Sequence, residues 1–204
     1  MTEPAESKGK PKLLLHVCCA PCTTSPVERL KDEYEITAFF YNPNIYPREE
    51  YYRRLEETRK YCGEIGIPMV EGPFDPERWA ELTTGLEDEP EGGRRCRVCI
   101  EMRLEAAAGH ARENGFDAVC TVLTVSPHKN AKMVEEIGKL VSEQEQIVFL
   151  PQDFKKKEGF KRSIELSRTH ELYRQDYCGC EPSLRESEKR RAEKNSKRQE
   201  QSRN

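Results

Sequence analysis

The chain has 204 residues, a net charge of −3, and charged and hydrophobic fractions of 35% each. That length suits one domain with a real core rather than two. The near-neutral charge removes any whole-molecule attraction to a polyanion, and no stretch is long and apolar enough to span a membrane.

In chain order, residues 1–10 hold little that can be buried and are expected to be disordered. Residues 11–182 read as a single α/β catalytic domain, and residues 183–204 as a charged tail. A first strand is predicted over Lys12–Val17. Ser25-Pro26 offers an N-cap and a first-turn proline for a helix through Val27 to Lys31. A second strand covers Ile36–Tyr41. Pro47 starts a helix to about Ile65, with Tyr51, Leu55, Thr58 and Cys62 on one face. Pro68–Glu71 is a third strand, and Asp75-Pro76-Glu77 starts a helix carrying Trp79 and Leu82. Gly85 to Arg95 reads as an exposed loop leading into a helix from Cys96 to Asn114. Ala118–Leu123 is a fourth strand. Ser126-Pro127 opens a helix with Met133, Val134, Ile137 and Leu140, Ile147–Leu150 is a fifth strand, and Phe160 to Tyr173 is helical. This alternation predicts an α/β fold, a parallel sheet with helices on both faces. Ligands in such folds bind beyond the carboxyl ends of the strands, where Cys18-Cys19 and Ser126-Pro127-His128-Lys129 are expected to lie.

Seven of the nine cysteines fall into three groups: Cys18-Cys19-x2-Cys22, Cys96-x2-Cys99 and Cys178-Gly179-Cys180. No hydrophobic segment at the start is long enough for secretion, Leu13-Leu14-Leu15 being too short, so a cytoplasmic location is expected. In a reducing compartment grouped cysteines point to metal binding or catalysis rather than to a disulfide framework. Cys96 and Cys99 sit among Arg94, Arg95 and Arg97 at a helix start, which favours thiolates. With Cys18 and Cys19 they make four thiolates, a complement that suits a [4Fe–4S] cluster or a tetrahedral zinc site. Cys18 and Cys19 are adjacent, so both can serve one small ion only if the backbone turns between them. Cys22 is a spare ligand, a substrate-site thiol or a packed residue, whereas Cys62 and Cys120 read as core. Cys178-Gly179-Cys180 suits a redox relay, glycine supplying the backbone freedom, or ligation of a second metal with Asp176.

His16 is expected to be buried and hydrogen-bonded, His128 to reach the ligand edge, and His110 and His170 to lie on helix surfaces. The run from Tyr41 to Arg48 reads either as a surface for a base or sugar, through Tyr41, Asn42 and Asn44, or as a Pro-rich turn. Lys155, Lys156, Lys157, Lys161 and Arg162 form a basic stretch suited to phosphates but also typical of exposed loops. The last segment, Arg185 to Asn204, carries eight Lys/Arg against four Glu, a solvated helix or a nucleic-acid contact.

Taken in order, Leu15-His16-Val17-Cys18-Cys19-Ala20-Pro21-Cys22, Tyr41-Asn42-Pro43-Asn44-Ile45, Cys96-x2-Cys99 with Arg103, Ser126-Pro127-His128-Lys129, and Tyr173-Arg174-Gln175-Asp176-Tyr177-Cys178-Gly179-Cys180 resemble the QueH family of epoxyqueuosine reductases from about residue 12 to 182. The resemblance implies a HUP-type (adenine nucleotide alpha-hydrolase-like) Rossmann-like fold. It implies reduction of epoxyqueuosine to queuosine at the wobble position of tRNA, the last step in making that base. It further implies an iron–sulfur cluster and not cobalamin, held by Cys18, Cys19, Cys96 and Cys99, with Cys178 and Cys180 as the redox-active pair and a mononuclear iron as a second metal. Asp176, His128 and Tyr177 are candidates to stabilise the developing alkoxide, and Tyr41, Asn42, Asn44 and His128 to bind the substrate. The partners implied are the tRNA anticodon loop and an unidentified electron donor.

Two other classes compete. A zinc-stabilised nucleic-acid-binding module without catalysis would gain nothing from a Cys-Gly-Cys pair. An ATP-using relative of the same fold would carry a Gly-rich phosphate loop after the first strand, where this chain reads Val17-Cys18-Cys19-Ala20-Pro21-Cys22 without a glycine.

Overall fold

The computed structural model describes residues 9–201. The expectation of disorder over residues 1–10 falls outside the described residues except at Gly9 and Lys10, as does the end of the tail, residues 202–204. Five strands, β1 (Lys12–Val17), β2 (Glu35–Phe40), β3 (Met69–Glu71), β4 (Ala118–Thr121) and β5 (Val148–Phe149), form one sheet in the order β3-β2-β1-β4-β5. All four pairings are parallel.

The central strand is apolar on both faces because both are covered. Leu13, Leu15 and Val17 point into one core with Val27 and Leu30 of α1 (Ala20–Leu30) and Tyr51, Leu55 and Cys62 of α2 (Arg48–Glu64). Leu14, between them, points into the other core. That second core is filled by Ile100, Leu104 and Ala107 of α4 (Arg94–Glu113) and Val134, Ile137 and Val141 of α5 (Ala131–Glu145). Trp79 of α3 (Pro76–Thr83) packs against the second core and Phe160 of α6 (Gly159–Thr169) against the first. The result is the expected parallel sheet with helices on both faces. Cys62 and Cys120 are core residues, and burial pushes their thiols up to about 11 and about 12.

Two helix starts differ from expectation. Helix α1 begins at Ala20, not near Ser25: Cys19 is the N-cap and Pro21 takes the favourable first-turn place. Pro26 lies inside the helix, where it cannot donate to the carbonyl of Cys22. Helix α5 begins at Ala131 because the Asn130 side chain accepts from the amides of both Lys132 and Met133. Ser126-Pro127-His128 is instead a loop that follows a 3₁₀ turn at Val122–Val125. The last helix, α7, spans Glu181–Gln201. Its first turns dock on the body, with Ser183 and Ser187 buried, while Glu188 to Gln199 are all exposed. Among the described residues no helix is long and apolar enough to cross a membrane.

Candidate active site and metal centre

The strand order reverses direction on either side of β1, so the crevice between the carboxyl ends of β1 and β4 is the natural ligand site. There the chain leaves β1 at Val17 and turns directly into α1. The turn satisfies the condition that adjacent cysteines set for themselves. Cys19 is extended at φ −175°, ψ 161°, and Cys22 follows in the first turn of the helix. The Sγ atoms of Cys18, Cys19 and Cys22 lie within 4.8 Å of one another, Cys18 and Cys19 being 3.8 Å apart. Among the described residues this is the one set of three such donor atoms brought so close. The open end of α1, with no acidic residue in its first turn, favours negative charge there.

The electrostatics of the triad suit a cation. For Cys19, burial opposes ionisation. Hydrogen bonds with Cys18 and Cys22, the Arg54 charge and the Gln175 amide outweigh it and hold the thiol well below its usual range. Gln175 donates from Nε2 to Cys19 Sγ at 2.9 Å. Cys18 is pushed up, chiefly by its hydrogen bond to Cys19, and Cys22 by bonds to both neighbours. Three sulfurs this close ionise together only around a positive centre, so the donor set fits a metal or an iron–sulfur site.

The other cysteine groups meet in a second chamber. Cys96 stands in the first turn of α4 and accepts from the Gly92 amide at 3.2 Å, and Cys99 follows one turn later. Both line a narrow inner pocket together with Cys178, Cys180, Asn44 and Trp79. The loop expected to deliver Cys96 is held from below by Arg95, which is buried and donates from Nη1 to the carbonyls of Leu86, Glu87 and Glu89. Its Nε and Nη2, and both polar atoms of the Asn44 side chain, are buried without a hydrogen-bond partner. Unpaired buried polar atoms are costly, and their concentration beside four thiols fits an electron-rich group bound in this chamber.

The outer cleft, of about 210 Å³, is lined by Cys18, Cys22, His128, Gln175, Asp176 and Tyr177 among others. Glu91, Arg103, Lys129 and Cys178 line both chambers. Arg103 is buried, donates to the Cys99 carbonyl at 3.1 Å, and its charge acts on Cys99, Cys178, Cys18 and Cys96. Lys129, also buried, donates to Glu91 at 3.0 Å and hydrogen-bonds Cys178. Burial raises the Cys178 thiol, but Lys129 and Arg103 overcome it and the net shift is downward. Cys180 moves up through burial and the nearby Cys178 charge. The pair is therefore polarised, Cys178 toward thiolate and Cys180 toward thiol. Gly179 between them has φ +142°, and a Cβ there would lie 3.0 Å from Asn44 Nδ2 and 3.1 Å from Ile45 Cγ1. Tyr46 donates its amide to the Gly179 carbonyl at 2.8 Å, locking the turn against the loop after β2.

The anticipated site residues divide between these places. Cys18 and Cys19 stand in the triad with Cys22, while Cys96 and Cys99 stand in the inner chamber with Cys178 and Cys180. Asn44 reaches the inner chamber, and His128 and Asp176 reach the outer rim, where Asp176 pairs with Arg191 at 3.1 Å. Tyr41 and Asn42 line neither. The Tyr41 carbonyl accepts from buried His16, and Asn42 donates to the Val17 carbonyl and accepts from Arg103. Sequence reasoning assigned no role to Glu91, placed Lys129 only at the ligand edge, took Arg95 only as a charge beside Cys96 and Cys99, and did not foresee that Arg54 is buried. Charge in a sequence reads as surface, and only packing shows that these groups turn inward. Cys22 did carry a signal, since Cys19-Ala20-Pro21-Cys22 is itself a C-x-x-C at a helix start.

Comparison with known proteins gives the family and the fold. The sequence pattern described as "Epoxyqueuosine reductase QueH" matches residues 13–186. The protein of that name from Streptococcus pyogenes serotype M1 is 42% identical over 177 residues, covering 84% of this chain and 69% of the relative. The one from Thermotoga maritima is 36% identical over 189 residues, covering 91% and 97%. Among solved structures, the U34-tRNA thiolase NcsA from Methanococcus maripaludis, described with its [4Fe-4S] cluster, superposes with a TM-score of 0.56 at 16% identity, covering 86% of this chain and 62% of that one. A predicted subunit of tRNA methyltransferase from Methanocaldococcus jannaschii superposes with a TM-score of 0.50 at 12% identity, covering 76% and 74%. At those identities the likeness concerns the fold alone, a parallel sheet with helices on both faces. With the pattern spanning the sheet, both chambers and the start of α7, the chain belongs to the epoxyqueuosine reductase QueH family.

Proposed function

We propose that this protein reduces epoxyqueuosine to queuosine at the wobble position of tRNA, using the two chambers as one reaction site. The observation that carries the reading is their common wall, where Cys178, Lys129, Arg103 and Glu91 face both a three-thiol group and a four-thiol cavity. The splayed base enters the outer cleft past His128, Asp176 and Tyr177, with Asn44 facing it from the inner chamber. Tyr41 and Asn42 hold the loop that carries Asn44.

Cys18, Cys19 and Cys22 hold a [4Fe–4S] cluster, and Cys96 and Cys99 hold a second metal beside the Cys178-Cys180 pair. The mutual closeness of the first three sulfurs favours this division over a single set of Cys18, Cys19, Cys96 and Cys99. A bound cluster would supply single electrons, drawn from the outside donor, to restore the Cys178-Cys180 pair once it is spent. The reaction consumes two electrons and two protons, releasing the epoxide oxygen as water and leaving an alkene. Cys178 and Cys180 supply an electron pair on joining as a disulfide, Cys180 releasing its proton and solvent in the cleft providing the other. The Lys129 ammonium and the Arg103 guanidinium stabilise the developing alkoxide. Asp176, fixed by Arg191, stands at the rim where solvent protons enter.

The test is anaerobic incubation with tRNA bearing epoxyqueuosine and a chemical reductant, followed by nucleoside analysis. Queuosine should appear only with the reductant and the intact protein. A colourless preparation holding stoichiometric zinc and forming no queuosine would instead identify a zinc-stabilised binding module.

A further inference from the structure

We infer that the outer face of α7 is a docking rail for the phosphate backbone of the substrate RNA, placed outside the cleft that takes the base. The inference rests on the reductase reading, which makes an RNA the partner. From Glu188 to Gln199 every residue of α7 is exposed. A free-standing helix of this length, polar all round, is marginal in water, so a partner that covers one face stabilises it. Arg190, Lys194, Lys197 and Arg198 line one groove along that helix, with Glu193 as its carboxylate. Spaced by four, three and one residues, they share one side, and the row runs about 12 Å along the axis.

Two further observations single this row out. First, its cations are uncommitted. Arg185 pairs with Glu181 and Arg191 with Asp176, whereas among the described residues Arg190, Lys194, Lys197 and Arg198 show no ion pair. The other basic stretch is mostly paired within the chain, since Lys155 and Lys156 reach Asp153, Lys161 reaches Glu158, and Arg162 reaches Glu28 and Glu165, leaving Lys157. Second, Arg190 lines the outer cleft as well as the row, so a strand whose base occupies the cleft continues onto the rail. With a net charge of −3 the molecule has no general pull on a polyanion, and backbone contacts must come from such a local row.

The experiment compares the full-length protein with the triple variant Lys194→Gln, Lys197→Gln, Arg198→Gln, leaving Arg190 in place because it borders the cleft. Affinity for tRNA carrying epoxyqueuosine is measured between about 50 and 200 mM salt. The triple variant should bind at least about tenfold more weakly at low salt, and its plot of log affinity against log salt should be shallower by about 2–3. Glu193→Lys should bind more tightly with a plot steeper by about 1. Parallel plots for wild type and triple variant, with wild type still forming queuosine, overturn the rail and leave the reductase reading intact. Wild type that neither binds the tRNA nor forms queuosine overturns both. A triple variant that keeps tRNA affinity but loses turnover with a protein reductant assigns the face to an acidic electron donor and overturns the rail.

Discussion

The buried guanidinium of Arg54 donates from Nη1 to the carbonyl of Cys178 at 2.9 Å, tying α2 to the Cys178-Gly179-Cys180 turn. The same group donates from Nε to Glu50 at 2.7 Å and from Nη2 to the Tyr177 carbonyl at 3.4 Å. Arg54→Ala strands a buried carboxylate and frees the turn. The expected loss of stability is about 3–5 kcal/mol, read by chemical denaturation, with faster alkylation of Cys180 in the folded protein. Unchanged stability and unchanged Cys180 protection would show that the turn holds itself.

Gly179 occupies a backbone region that disfavours a side chain, and its neighbours leave little room for one. Gly179→Ala should cost about 1–3 kcal/mol and slow queuosine formation by at least about tenfold, because Cys178 and Cys180 must shift with it. Rates equal to wild type would mean that the turn tolerates rearrangement.

Lys129 draws Cys178 toward its thiolate. In metal-free protein, Lys129→Met should move the pH profile of Cys178 alkylation to higher pH and slow the reaction at neutral pH about tenfold, while Lys129→Arg should retain most of the wild-type rate. Mass-spectrometric mapping of the alkylated cysteine reads the outcome, and identical profiles for Met and Arg would remove Lys129 from the account.

Cys22 stands within 4.8 Å of the Cys18 and Cys19 sulfurs. Cys22→Ala should therefore abolish the cluster absorbance and lower bound sulfide severalfold, whereas Cys96→Ala should remove the second metal and leave the cluster spectrum. The reverse pattern would restore the four-cysteine set of Cys18, Cys19, Cys96 and Cys99.

His16 is buried between the Thr121 hydroxyl and the Tyr41 carbonyl, and burial, aided by Arg103, lowers its pKa to about 3. It is neutral when folded, but the unfolded chain takes a proton below about 6.5. The stability it protects is thus complete above about pH 6.5 and falls as pH drops toward 3, by about 2 kcal/mol between pH 7 and 5. Denaturation across that range should show this slope in wild type and a flatter one in His16→Gln.

The sheet was legible because its signals are local and one-dimensional. Lys12–Val17 reads as a short apolar strand, which the structure buries on both faces, and Asp75-Pro76 announces α3 through an N-cap that the structure uses. Helix α1 was misread because two prolines compete: Ser25-Pro26 has the better consensus, but Cys19 at the strand end sets the start. Helix α5 was misread for the same kind of reason, Asn130 outcompeting Ser126. Within the site, the cysteine groups were visible as groups, but how they combine depends on how the ends of β1, α4 and the segment before α7 converge. No spacing along the chain encodes that convergence. Asn42 illustrates the opposite error: a side chain suited to reading a base is occupied in fastening two strand ends together.

The common wall carries a further consequence for supply. Two fixed cations, Lys129 and Arg103, stabilise the reduced, ionised form of Cys178. A dithiol favoured in this way holds its electrons more firmly and recovers them from weaker donors. The proposed pair should then be easy to refill rather than forceful in delivery, and a mild thiol reductant is expected to reset it between turnovers.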